Sequence, residues 1–565
     1  RKTRSTPDGG LTKYWKDALG RDRFSQDARQ TGFSPQRYSY LKYDALGRLV
    51  ESGESDLDPS LLSDRVDDPN FPSTAIEWSR THYSAPHPDL KYGGTEAQRY
   101  LRNRVSFVER INPLSPTDTF VTVFSYDPHG QLEWLVQELP GLGVSWMRYE
   151  YDLVSGKVLE SIYNEGKIDE FHHRYTYDRD NRITLVETSR DGWIWDRDLS
   201  QSYYAHGPTD RLELGEDRLQ GLDMVYNLHG QLKALNHATL QTSLDPGQDN
   251  LTGVHEKFAP DAFGFQLGYF NGDFVHTGSA FDPAHNSHLA GPQLYDGNIT
   301  SWTWNTQDHS GLHTSDMLGQ TFRYDALYQL KRGDFQEHDG SHWVGTPEWA
   351  STYTYDPNGN LSSLTRLDQH GNPLDALTYH YNPLTNRLDH LTDAISTPSN
   401  ERDLESQLSG NYSYDGAGNL IADVADSLDQ IDWNVSGKIS RIQKRDGSEV
   451  HYSYDAKGDR SRKRVIAGGM TTTTWYGRDA SGVVRAIYVQ EGASAPIEVD
   501  ELTVGAGNRI GTLNPAVAVG DVDADPKYCE RKIGEKTYEL HDHLGNARVR
   551  ISDVKISQLN AVTGA

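Results

Sequence analysis

The nine residues Tyr353-Thr354-Tyr355-Asp356-Pro357-Asn358-Gly359-Asn360-Leu361 constrain the fold more than any other feature, because imperfect copies recur from end to end. Read physically, the unit is a strand that enters a tight turn and leaves as the next strand. Tyr353 and Tyr355 stand two apart, so their rings share one strand face. Asp356 accepts backbone N–H groups of the turn, and Pro357 fixes the φ of its second position. Gly359 supplies the positive φ by which a type I turn closes through a bulge. Leu361 then restarts the apolar alternation.

Close copies are Tyr43-Asp44 with Gly47-Arg48-Leu49, Tyr126-Asp127-Pro128 with Gly130-Gln131-Leu132, and Tyr414-Asp415 with Gly418-Asn419-Leu420. Tyr454-Asp455 with Gly458 keeps the front half, and Tyr151-Asp152 with Gly156 carries one extra residue. Tyr177-Asp178 with Asn181-Arg182-Ile183 replaces Gly by Asn, which tolerates left-handed backbone. At Tyr226-Asn227, Tyr381-Asn382 and Trp433-Asn434 an Asn makes the local bond of the Asp. Weaker copies start at Lys16, Tyr295, Tyr324, Arg478 and Asp542. Successive starts lie about 19 to 33 residues apart over most of the chain, the spacing of stacked supersecondary units. One hairpin cannot bury its own face, so each copy leans on its neighbours. The expectation is all-β: hairpins laid side by side as one long antiparallel sheet.

At 565 residues the chain exceeds the ceiling for one solid core, which leaves several domains or an array. With 35% hydrophobic residues and net charge −26 it resembles a disordered chain, yet 32 Tyr, 15 Phe and 12 Trp contradict that. Tyr-rich sheets stabilise through cross-strand ring pairs while leaving hydroxyls in water. A sheet wetted on both faces reconciles the two facts and predicts a thin wall. The acidic balance argues against nucleic acid and anionic membranes as partners. No apolar run approaches the roughly 18–20 residues of a membrane span, and Cys529 alone leaves no internal disulfide. Arg1 rather than Met opens the chain without a visible signal peptide, as in a processed piece.

Three stretches, 57–99, 245–292 and 491–536, lack the turn unit and are expected as insertions, the first with a short helix. No catalytic, cofactor-binding or metal residue is expected. His541 and His543 alternate onto one strand face with a metal-compatible spacing, but read as a turn unit. Asp521, Asp523 and Asp525 mimic the start of a calcium loop, in which Pro526 and Lys532 exclude an EF-hand. His172, His173, His285 and His288 read as loop and strand residues, and Cys529 as an inert thiol. Arg332-Gly333-Asp334 reads as part of a hairpin loop rather than an adhesion tripeptide. Asn298-Ile299-Thr300 and Asn434-Val435-Ser436 fit a glycosylation pattern.

The repeated Tyr-Asp-x-x-Gly-[Asn/Arg/Gln]-Leu unit resembles the YD repeat of the RHS family. The closing segment Tyr538 to Val549 resembles the stretch leading into the RHS-associated core of bacterial members. The resemblance spans nearly the whole chain. It implies a β-strip coiled into a hollow shell that encloses a toxic C-terminal domain, as in insecticidal toxin complexes; teneurins use a similar shell. Nothing after Gly545 matches the Asp-Pro-x-Gly-Leu type of self-cleaving motif. The expected protein is therefore a bacterial, secreted or cell-surface container, not an enzyme, with an enclosed toxin and a secretion machine as partners. The competing reading is an adhesion or glycan-recognition module acting through its aromatic face or its insertions.

Overall fold

The computed structural model describes residues 2–112, 115–251, 253–274, 289, 291–307, 317–396, 403–520 and 532–555. Strand follows strand, each antiparallel to its neighbour. Twenty-six strands between Lys2 and Asp393 form one sheet, and 13 between Tyr412 and Ser552 form a second. The all-β expectation holds as a strip of consecutive hairpins, shell-like rather than a closed barrel. Among the described residues the single α-helix is Pro59–Arg65. Pro59 occupies its first turn, and the Asp58 side chain accepts the Ser60 N–H at 2.9 Å.

The turn unit behaves as its chemistry requires. In the prototype, Asp356 Oδ1 accepts the N–H groups of Asn358 (2.9 Å) and Asn360 (2.8 Å). The Gly359 N–H donates to the Asp356 carbonyl at 3.0 Å, and Gly359 has φ 86°. The ladder between Ser351–Tyr355 and Leu361–Leu367 shifts register between Thr354 and Tyr355, which is the expected bulge. The residue after the Gly has a role of its own. Asn360 Nδ2 donates to Asp356 Oδ2 at 2.9 Å, and the guanidinium Nε of Arg48 and Arg182 reaches Asp44 and Asp178 Oδ2 at 2.7 and 2.8 Å. That explains why Asn or Arg follows the glycine: each has an N–H donor long enough to close the second carboxylate oxygen, whereas Gln131 sends its Nε2–H to the Gly156 carbonyl of the next unit at 3.2 Å.

The three expected insertions are not wholly outside the sheet. The strands Glu77–Tyr83, Phe263–Gly268 and Glu498–Gly505 lie within or across them, and each is hydrogen-bonded on both sides. Phe263–Gly268 is buried at every position. Covered on both faces, it shows no alternation and no turn unit, and so reads as irregular.

The thin-wall expectation also needs revision. Strands such as Leu361–Leu367 bury no residue fully. Elsewhere the wall is double: one core cluster joins Tyr163, Phe171, Val186, Leu214 and Phe265 of the first sheet to Trp475, Tyr488, Leu502, Tyr538 and Leu540 of the second. Burying large aliphatic and aromatic side chains stabilises by about 1.5–3 kcal/mol each, so cohesion concentrates where the strip covers itself.

Candidate functional site

A wall needs lateral cohesion between neighbouring units and closure between distant ones; both are visible in named atoms. Along the strip, most repeat tyrosines bond to the previous repeat, Tyr226 excepted, whose hydroxyl meets Met224 Sδ. The hydroxyl of Tyr355 donates to the carbonyl of Leu330, that of Tyr381 to Leu361 and that of Tyr414 to Leu388, at 2.8, 3.0 and 2.9 Å. Tyr151 to Leu132 and Tyr177 to Val158 repeat the bond at 2.8 Å, and Trp433 uses its indole N–H on Leu420 at 2.8 Å. In each case the acceptor is the first residue after the preceding turn. The hydroxyls are thus not left in water, as the composition suggested. They tie unit to unit at the sheet margin, where carbonyls lack ladder partners. Burial pushes the phenols of Tyr151 and Tyr177 up to about 12, so they remain protonated donors.

Closure joins residues far apart in the chain, in the same order along both segments. Asp8 Oδ1 accepts the Asn386 N–H at 2.7 Å, and Arg29 Nη1 donates to the Trp433 carbonyl at 2.8 Å. Trp475 Nε1 donates to the Pro140 carbonyl at 2.9 Å, and the Ala480 N–H to Tyr149 Oη at 2.9 Å. Tyr163 and Tyr488 share a hydroxyl–hydroxyl bond at 2.9 Å, and His173 Nε2 meets the Thr503 carbonyl at 3.0 Å. Lys536 Nζ reaches Asp198 Oδ1 and Thr188 Oγ1 at 2.9 Å. The sequence separations in this series run from 325 to 404 residues. A strip whose later residues meet earlier ones in parallel order, both advancing together, is a coil lying along its own previous turn.

Beside the apolar cluster, the seam carries buried polar pairs. Tyr488 Oη and Asn164 Nδ2 both donate to Asp169 Oδ2, the latter at 2.7 Å. Tyr538 Oη donates to Asp198 Oδ1 at 2.7 Å. Burial alone would lower the pKa of Lys536, but Asp198 and Asp196 raise it, so the ammonium is charged. The neighbours His172 and His173 point to opposite faces and titrate oppositely. Burial would depress His172, yet Glu160 and Glu170, at 2.8 and 2.7 Å, push it up to about 9. Burial, reinforced by Arg485, drives His173 well below its ordinary value.

The other residues singled out from sequence take structural places. His543 packs in the seam, its ring 5.4 Å from Trp302, while His541 lies beside Glu539. Neither belongs to a convergent ligand set among the described residues. Arg332-Gly333-Asp334 lies within the paired strand Leu330–His338 rather than in a loop, with Arg332 Nε on Asp334 Oδ1 at 2.6 Å. A Cβ on Gly333 would come within 3.1 Å of Ser351 Oγ, so close packing accounts for the glycine. Asn434 is buried and caps its turn through the N–H groups of Ser436 and Lys438, both at 3.0 Å. Asn298 donates its N–H to Asp296 Oδ1 at 3.0 Å, inside its own turn unit. His285, His288, Cys529 and the Asp521, Asp523 and Asp525 run lie outside the described residues. An open cavity of about 760 Å³ is lined by Lys438, Arg460, Arg478 and Arg509 together with Trp433 and Tyr454. Arg478 and Arg509 are already engaged, by the Arg460 carbonyl and by Glu501 and Glu539. The acidic groups that do converge are Asp223, Asp245 and Asp249, which the sequence did not mark because Asp223 lies on a strand some twenty residues before the other two.

Comparison with known proteins agrees with this architecture. Residues 300–483 match the family model of the teneurin YD-shell. The crystal structure of TcdB2-TccC3 without its hypervariable C-terminal region superposes with TM-score 0.64 at 15% identity over 98% of this chain. The Photorhabdus luminescens Tc holotoxin pore, carrying a TccC3 mutation, gives TM-score 0.64 at 16% identity over 97%. This chain spans 23% of the length of each of those chains. No curated protein matches it. No helix among the described residues is long and apolar enough to cross a membrane.

Proposed function

We infer, from the premise that this chain is an RHS/YD-repeat shell protein, that its work is containment: it walls off a toxin polypeptide during secretion and delivery. The observation that carries this reading is the ordered return of the strip onto itself, 325 to 404 residues later, with polar pairs sealing the join. Such a join suits a barrier better than a binding groove, because it spends the most specific contacts on closure. In this reading the wall carries out no chemistry, and its partners are the enclosed polypeptide and the export apparatus of a bacterial cell. A net charge of −26 suits a basic cargo, held without a fixed docking site.

The test is protease protection. The chain is expressed with the polypeptide encoded downstream of it, and the digestion rate of that polypeptide is compared with and without the shell. Protection of the downstream segment is expected, together with an internal cavity in electron micrographs. Digestion at equal rates, or a particle with no cavity, would overturn containment. Clear hits on a glycan array would favour surface recognition instead.

A further inference from the structure

Between the strands Leu232–Leu235 and Phe263–Gly268 the chain makes a long excursion that brings two carboxyl groups against a third on the sheet. Asp245 and Asp249 come from that excursion, and Asp223 from the strand Gln220–Tyr226. All three are buried, and one oxygen from each lies within 4.8 Å of the others. Arg211, on the strand Thr209–Leu214, grips two of them from one side: Nη1 on Asp223 Oδ2 at 2.5 Å and Nη2 on Asp249 Oδ1 at 2.6 Å. Oxygens remain over after that grip. Asp249 Oδ2 and Asp245 Oδ1 are buried and accept no hydrogen bond.

A fourth buried carboxyl lies against Asp245. Asp261 is 4% exposed, and its Oδ1 also has no donor. Its carboxyl faces that of Asp245. Two carboxylates in contact repel unless a proton or a cation lies between them. Glu213 adds a further negative group, with its Oε1 3.3 Å from Arg211 Nε. His255 spends Nδ1 on the Gly247 carbonyl at 2.7 Å, and its Nε2 lies 3.9 Å from Glu213. Arg211 thus bonds to only two of four neighbouring buried aspartates, and burying uncompensated charge is costly. The packing also leaves no room for larger residues. A Cβ on Gly247 would fall 2.3 Å from Asp223 Oδ2, and one on Gly221 2.3 Å from Asp249 Oδ2.

We propose that a divalent cation, Ca²⁺ in the first instance, binds between Asp223, Asp245 and Asp249, with Asp261 behind Asp245, and pins residues 236–262 to the sheet. The donor set is all oxygen and anionic, which selects a hard cation over zinc or copper. Two oxygens on opposite sides of Ca²⁺ at about 2.4 Å each stand roughly 4.8 Å apart, so a single ion can span the trio. Arg211 then serves as the group that orients the carboxylates rather than as their only counter-charge. This inference stands whether or not the shell contains a cargo.

The experiment uses the full chain, exhaustively chelated and then titrated with Ca²⁺ and separately with Mg²⁺ by calorimetry, with hydrogen exchange followed in parallel. Saturable binding of one Ca²⁺, a saturable rise in melting temperature and new exchange protection over 236–262 are expected. Asp245→Asn, which does not touch Arg211, should weaken binding at least about tenfold. A chain with Asp521→Asn, Asp523→Asn and Asp525→Asn together should bind as the parent does. Absence of saturable binding overturns the proposal. So does binding lost in the triple variant, or protection that appears outside 236–262; the exchange result decides even if Asp245→Asn fails to fold.

Discussion

At the scale of single residues, the turn unit concentrates its requirements in an aspartate and a glycine. Gly359 sits at φ 86°, where a β-branched side chain is strained. Gly359→Val is expected to cost roughly 1–3 kcal/mol, read as a lowered melting temperature; an unchanged melt would contradict the turn. The Asp356 carboxyl is held below its ordinary range by the Asn360 amide and by the turn N–H groups. A depressed carboxyl contributes stability that is complete above the unfolded pKa and is lost as pH falls through the folded one. Asp356→Asn keeps an acceptor, as Asn227 does through the N–H groups of His229 and Gln231 at 3.0 Å. That variant should therefore melt less pH-dependently than the parent between about pH 5 and pH 2, and equal slopes would refute the assignment. These residues were legible in the sequence because their bonds close within four positions. The tyrosine hydroxyls were not, since each finds a backbone carbonyl in the preceding unit, and a carbonyl leaves no mark in a sequence.

At the scale of elements, the strand Phe171–Tyr177 shows what alternation does at a doubled wall. His172 faces Glu160 and Glu170, while His173 faces the second sheet. Because the folded pKa of His172 is raised to about 9, its contribution is complete below the unfolded value and fades as pH rises through 9. His172→Gln should remove on the order of 2 kcal/mol of stability near neutral pH after solvent screening, and flatten the alkaline decline. Melts of parent and variant across that range check this; parallel curves would count against the Glu160 and Glu170 pairing. His173 works the other way: its depressed pKa costs stability as pH falls below its unfolded value. Strand existence was readable wherever one face stayed wet. It failed at Phe263–Gly268, where cover on both faces erases the period of two, and in the second half of Glu498–Gly505, which is buried at four successive positions.

At the scale of the whole molecule, the coil is held where chain segments more than 300 residues apart meet, and no local pattern announces such pairs. The sequence implied stacked units but gave no sign of which units would lie over which. Asp198 shows how much rests on one join. It is fully buried, and it accepts Lys536 Nζ at 2.9 Å, Tyr538 Oη at 2.7 Å and Thr188 Oγ1 at 2.5 Å. Lys536→Met would leave the carboxylate without its cation, a change that costs about 3–5 kcal/mol at buried pairs. Adding Asp198→Asn should restore much of that loss, since the orphaned charge goes with it. If the join couples two turns of one coil, hydrogen exchange should rise in Lys536→Met on both sides of it, in Asp196–Tyr203 and in Lys536–His541. Strands such as Ser351–Tyr355, with no part in this join, should keep their protection. Exchange that rises in the later segment alone would mean that the outer turn merely rests on the inner one, and the wall would then owe its closure to the apolar cluster rather than to its buried polar pairs.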